Sequence, residues 1–329
     1  MIKQIELELT ERFRKNPETE AFLAKLNKIL EPYQEEDYIV DLPERYPTVH
    51  VIGAPRSGTT LLTQLLAAHT DIGYINNLIA AFWRAPIYGI RLSAQVAPRT
   101  LGSSYQSEFG RTKGIHEPHE FGYFWSELLQ YQEMREQRDK LIDWERVRLV
   151  LTNMTYAFET PIVFKSFLLA WHIGEMQMTL PKTCWIHIRR DPLQNAISLL
   201  HLRRNLLGSI EKWASLKPKK FEMLKQKPYW EQVIGQVYFL ERSYLEKLRA
   251  VPREQVLSVT YEQLCLSPDS VIKQIQHMLT LQDAPIQTIA PVPGAFSEQR
   301  YDVNQIPEIE KLQMSWQSLI DKYGPLDYS

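Results

Sequence analysis

The sequence predicts an α/β protein in three layers, a mostly parallel sheet of five strands flanked by helices, folded as a single domain over residues 1–329. Three observations predict it. Five short β-favouring runs, at 48–52, 71–76, 161–166, 183–189 and 255–261, alternate with segments of helical periodicity, the pattern of parallel strands joined by crossover helices. The first run passes through a turn holding Gly53, Pro55 and Gly58 into a helix striped by Leu61, Leu62, Leu65 and Leu66. After the fourth run, Asp191-Pro192 reads as a helix entry, a capping carboxylate before proline at the first helical position.

Composition narrows the function. A chain of 329 residues can bury a large core. Its formal net charge of −1 offers no nucleic-acid surface, so any basic site must be local. Cys184 and Cys265 sit in apolar contexts and read as buried thiols, without disulfide or metal spacing. The opening MIKQIELELTERF has no signal-peptide core, and no apolar run reaches the ~18 residues of a membrane span. The expectation is a soluble, cytoplasmic protein with no metal, no nucleic-acid partner and no membrane span.

Residues 1–45 read as two packing helices. Ile2, Ile5, Leu9 and Phe13 stripe the first; the second enters at Asn16-Pro17 and carries Phe22, Leu26, Ile29 and Leu30 to Pro32. The strand at 48–52 then delivers the segment from Gly53 to Thr60. A strand, a glycine-bearing turn and a helix N-terminus make an anion cradle, because first-turn amides lack helical partners and the dipole adds roughly half a positive charge. Pro55, Arg56, Ser57, Gly58, Thr59 and Thr60 supply the turn, a cation and hydroxyl donors. Gly53 and Gly58 have the spacing of a nucleoside triphosphatase loop, but Thr59 stands where that loop needs lysine. This points to a donor with a smaller phosphate load.

The stretch from 77 to 160 loses the strand pattern and reads as an inserted acceptor-pocket or lid region. It holds four ionisable groups in five residues, His116, Glu117, His119 and Glu120, followed by Phe121, Tyr123, Phe124 and Trp125. One of the four could serve as a general base, or the group could simply solvate a loop entering a helix. Arg84, Arg91 and Arg99 either line the same cleft or are ordinary surface charges. The third strand ends on Lys165, where a parallel strand meets the binding edge of its sheet. His187 reads as a sheet-face residue. After the fourth strand, Arg190 and Ser198 flank a helix entry and could converge on an anion. A helix or two over 212–249, interrupted by Lys217-Pro218-Lys219-Lys220, precedes the fifth strand. A polar, proline-bearing loop over 291–305 and a last helix over 308–323 complete the chain.

PRSGTT after a strand, with RRDPLQNAIS further on, resembles the sulfotransferases that use 3′-phosphoadenosine 5′-phosphosulfate (PAPS). The first motif resembles their 5′-phosphosulfate loop. The second, with Ser198 eight residues after Arg190, resembles their 3′-phosphate motif. The resemblance covers most of residues 46–280 and implies a P-loop-like fold, PAPS as donor and adenosine 3′,5′-bisphosphate as product. It implies Arg56 and Lys165 around the transferring sulfuryl group, Arg190 and Ser198 on the 3′-phosphate, and Arg300 in a late loop closing over the nucleotide. Leu168 and Leu169 stand where such a protein often has its base, which leaves the His116–Glu120 cluster and the nearby His172. The implied reaction is in-line transfer to a hydroxyl or amine of a small-molecule acceptor. The rivals are a P-loop kinase or nucleoside triphosphatase, which would need magnesium-dependent ATP turnover, and a nucleotide-binding protein without activity.

Overall fold

A computed structural model describes residues 9–96, 103–136 and 141–328. Ile2, Ile5 and Arg99 lie outside them. Helix α1 (Pro17–Glu36) is capped by Asn16, whose side chain accepts from the Glu18 and Thr19 amides. It runs through Pro32 for another turn, one turn longer than the sequence suggests. The last described part of the N-terminal stripe is a short 3-10 turn, Glu11–Phe13, with Leu9 and Phe13 buried.

Strand β1 (Thr48–Ile52) leads into α2 (Thr59–His69), then β2 (Gly73–Tyr74). The insertion forms α3 (Asn77–Ala80), α4 (Pro86–Val96), α5 (Gly122–Leu128) and α6 (Trp144–Phe158) before β3 (Ile162–Lys165). Helix α7 (Ile173–Thr179), β4 (Cys184–Arg189) and α8 (Pro192–Leu207) follow. Next come α9 (Phe221–Lys225), α10 (Tyr229–Leu248) and β5 (Val256–Thr260). Helices α11 (Tyr261–Leu266), α12 (Pro268–Thr280) and α13 (Ile309–Tyr323) close the chain.

All five strands are parallel, in the order β2-β3-β1-β4-β5. Strand β1 is central, with Val49 opposite Val163 on one side and Cys184 on the other. Second-strand pairing covers two residues rather than the six over 71–76, because Asp71 and Asn76 spend their hydrogen bonds elsewhere. Asp71 exchanges bonds with Gln287, and the Asn76 side chain caps α3.

The strands alternate faces as period-two geometry requires. Val49, Val51, Ile186 and Ile188 pack with Leu62, Leu65 and Leu66 of α2 and Ile272 and Ile275 of α12. Ile52, Phe164 and Trp185 pack the other way, against Val150 and Met154 of α6 and Leu240 and Tyr244 of α10. The insertion shares this second core through Ile79, Phe124 and Trp125, so its helices are part of the sheet's packing.

His50 lies fully buried on β1, its Nδ1 2.8 Å from Ser166 Oγ and its Nε2 3.0 Å from Thr48 Oγ1. Burial pushes its pKa from 6.5 down to about 3. Below pH 6.5 the unfolded chain therefore takes up a proton that the folded chain refuses. Stability present above that pH is lost as the medium acidifies towards about pH 3. The full term is of order 5 kcal/mol. Thermal unfolding of His50→Phe between pH 7 and 4 should show a shallower decline than wild type; parallel slopes would exclude His50 as a source.

Candidate active site

The two sequence motifs meet at the carboxyl ends of β1 and β4, on either side of the point where the strand order reverses. The loop after β1 is wound tightly. Gly53 lies under the β4 backbone, where an added Cβ would come within 2.1 Å of the Ile188 carbonyl oxygen. Gly58 is the α2 N-cap with φ 106°, and a Cβ there would meet the Tyr261 ring at 2.6 Å. Arg56 also adopts a left-handed backbone, φ 77°, a conformation that costs a non-glycine residue of order 1 kcal/mol. Arg56 lines the central cavity.

Arg56 Nε donates to Ser198 Oγ at 3.2 Å, and its guanidinium lies 5.6 Å from the centre of the Phe109 ring. Arg190, 7% exposed, donates through Nη1 to the Arg56 carbonyl oxygen at 3.4 Å and through Nη2 to that of Gln299. Its guanidinium is 4.6 Å from the centre of the Tyr261 ring. Burial lowers the pKa of Arg56; the Arg190 charge adds to this, and Tyr301 opposes it. Two guanidiniums thus crowd together, with the Glu120 charge also acting on Arg56. Among the described residues, Ser57 Oγ and Arg190 Nε are buried without a hydrogen-bond partner, donors that an anion would satisfy.

Lys165 ends β3 on the other side of the β1 loop. It is 6% exposed and donates to Thr60 Oγ1 at 2.7 Å and to Glu120 Oε1 at 2.5 Å. Pro55, Arg56, Gly58, Thr59, Thr60, Glu120, Lys165 and Arg190 all line one cavity of about 790 Å³. Ser57 and Ser198 lie buried beneath its wall.

The structure separates the four clustered ionisable residues. An antiparallel bridge joins Asn76 to Pro118, and the His119 amide donates to the Ile75 carbonyl oxygen. On extended chain, successive side chains point to opposite sides. Glu120 enters the cavity. Glu117 instead accepts from Gln64 at 2.7 Å and from the hydroxyls of Ser103 and Ser104, lining a separate cavity of about 190 Å³ with His116. His119 spends its Nδ1 on the Phe121 amide.

The other candidates lie elsewhere. Arg300 is exposed and does not line the cavity; its neighbours Ser297 and Gln299 do. Arg84 pairs with Glu31 and Glu127, Arg91 with Asp37, and His172 is hydrogen-bonded to the Tyr131 hydroxyl.

Four residues near the cavity are not assigned there by a reading of the sequence. Tyr261 stacks on Arg190 and receives the Gln299 amide, fixing the late loop. Glu241 of α10, 3% exposed, accepts the Ala54 amide at 3.0 Å and bonds His187 Nε2 at 2.8 Å, tying the first residue after Gly53 to the helical layer. Leu202 and Leu206 of α8 line the cavity beyond Ser198; in sequence they look like ordinary core stripe.

No curated protein matches the chain by sequence. Among solved structures, a sulfotransferase from Mycobacterium avium superposes with a TM-score of 0.52 at 14% identity, covering 94% of this chain and 86% of that one. A sulfotransferase from Mycobacterium tuberculosis H37Rv gives 0.50 at 13% identity, over 90% of this chain and 82% of that one. At such identities the likeness is one of fold. The sequence itself matches the sulfotransferase family across residues 47–285, from the start of β1 past the end of α12. The chain belongs to that family.

Proposed function

We propose that this protein transfers a sulfuryl group from PAPS to a hydroxyl of a small-molecule acceptor. The observation that carries the reading is the convergence of Arg56, Lys165 and Arg190, from three strand ends, on one cavity with hydroxyl donors around them. The α2 N-terminus with Ser57, Thr59 and Thr60 would hold the 5′-phosphate. Arg190, with Ser198, would hold the 3′-phosphate, since a guanidinium fork suits phosphate geometry.

The acceptor oxygen attacks sulfur in line with the bridging oxygen. The sulfur–oxygen bond to the phosphate breaks, and its electron pair leaves on adenosine 3′,5′-bisphosphate. Arg56 offsets the charge growing on that phosphate oxygen, and Lys165 that on the sulfuryl oxygens. Glu120 takes the hydroxyl proton. Of the four residues in the loop cluster it alone borders the cavity, and it sits beside Lys165. The late loop would contribute through Gln299, whose amide is held by the Tyr261 hydroxyl at the start of α11, with Arg300 outside the cavity lining.

The test is transfer of label from radiolabelled PAPS to a panel of alcohols. Glu120→Gln should lower the rate ~10²–10⁴-fold, whereas His116→Gln and Glu117→Gln leave proton abstraction intact. A fully active Glu120→Gln protein would move the base elsewhere.

A further inference from the structure

The cavity is much longer than its anion cradle, and its two ends differ in chemistry. Helix α8 spans both. Ser198, Leu202 and Leu206 follow one another at four-residue spacing and so share a face. Leu206, eight residues past Ser198, lies roughly 12 Å further along the axis. Around that end the walls are Leu9, Leu207, Phe109, Trp213 and Ala214. Leu9 belongs to a segment strapped over the end of α8, where the Thr10 amide donates to the Leu206 carbonyl oxygen at 3.0 Å.

The charges bordering this arm are spoken for. Lys217 pairs with Glu133 at 2.8 Å, and Arg111 donates to the Phe13 carbonyl oxygen at 2.6 Å while its guanidinium faces the Phe13 ring. Phe109 joins the two ends. One side meets the Arg56 guanidinium, and its ring packs edge-on against Phe13. The next residue, Gly110, presses on the Lys165–Glu120 pair, where an added Cβ would stand 3.1 Å from Nζ and 3.0 Å from Oε1. The reacting groups therefore sit at the mouth of an apolar arm.

We infer that the acceptor is an uncharged amphiphilic alcohol, its hydrocarbon body lying along Leu202 and Leu206 and its hydroxyl held at Glu120. This rests on the sulfuryl-transfer reading above. A cationic metabolite or a sugar would find saturated charges and hydrocarbon where it needs counter-ions or hydrogen-bond partners. In the reaction the alcohol oxygen gains the sulfuryl group, its proton passes to Glu120, and the bisphosphate departs.

The experiment is a series of linear primary alcohols from butanol to decanol, with choline and glucose as controls. Binding is measured by calorimetry on protein loaded with adenosine 3′,5′-bisphosphate, and transfer is measured with PAPS. Affinity should rise about fourfold per methylene until the arm is filled, the factor expected for burying one methylene. Leu206→Glu should abolish that increment while bisphosphate binding stays at the wild-type level; Leu206→Met should retain it. Binding that is flat with chain length, or preference for choline or glucose, would overturn the inference with the donor site intact. Failure to load the bisphosphate at all would instead strike the underlying reading.

Discussion

Arg56→Ala is expected to slow sulfuryl transfer by ~10²–10³-fold, the loss of about 2.7–4 kcal/mol that follows removal of one preorganised donor at a developing negative charge. The fold should survive. Ser198, which receives Arg56 Nε, keeps the Tyr301 hydroxyl as a second partner at 3.4 Å. A sharper version uses Arg56→Gly. The left-handed backbone at φ 77° strains any residue with a Cβ, so glycine should raise the melting temperature or leave it unchanged while transfer is lost to the same degree. Stability and activity would then move apart, which a damaged loop could not produce. Arg56→Lys keeps the charge without the planar fork and should fall between. Wild-type turnover by a folded Arg56→Ala protein would remove the residue from the mechanism.

The second large effect is on stability, at a residue that touches no ligand. Glu241→Ala should cost about 3–5 kcal/mol, because it strands two buried partners at once, the Ala54 amide and His187 Nε2. His187 lies on β4 and Ala54 in the loop between β1 and α2. Loss of the carboxylate would therefore loosen the cradle as well as the core. Glu241→Gln retains an acceptor for Ala54 and a polar group for His187 and should recover most of the loss. Denaturant unfolding of the two variants decides the matter; equal stability of Glu241→Ala and wild type would show that the contact carries no weight.

The parts of this molecule that local chemistry determines were readable in the sequence. Four strands match their runs to within a residue at each end; for β1, β3 and β4 this is because buried parallel strands read as continuous hydrophobic segments, while the half-buried edge strand β5 was marked by its β-favouring residues. Asp191 caps α8 through the Gln194 amide, as Asp-Pro predicts. The tight turn from β1 into α2 was legible for the same reason: Gly53 and Gly58, the residues that let it close, are contiguous with the strand and the helix they join. What stayed hidden depends on distant partners. Glu241 meets Ala54 across 187 residues, and in sequence it is one acid on an apolar helix. Glu117 and Glu120 are indistinguishable until the bridge at Pro118 settles which side each occupies. Pro32 misleads for another reason. It falls near the helix end, where losing one backbone bond is tolerable, and α1 continues past it to Glu36.

The donor site is the centre of the account, and one calorimetric comparison reaches it directly. Adenosine 3′,5′-bisphosphate should bind far more tightly than AMP, and without magnesium, because on the proposed reading the 3′-phosphate would engage Arg190. Arg190→Ala should weaken the bisphosphate about 100-fold and leave AMP nearly unchanged. Equal binding of bisphosphate and AMP, or preference for ATP with magnesium, would contradict the assignment and favour a kinase-like use of the same loop.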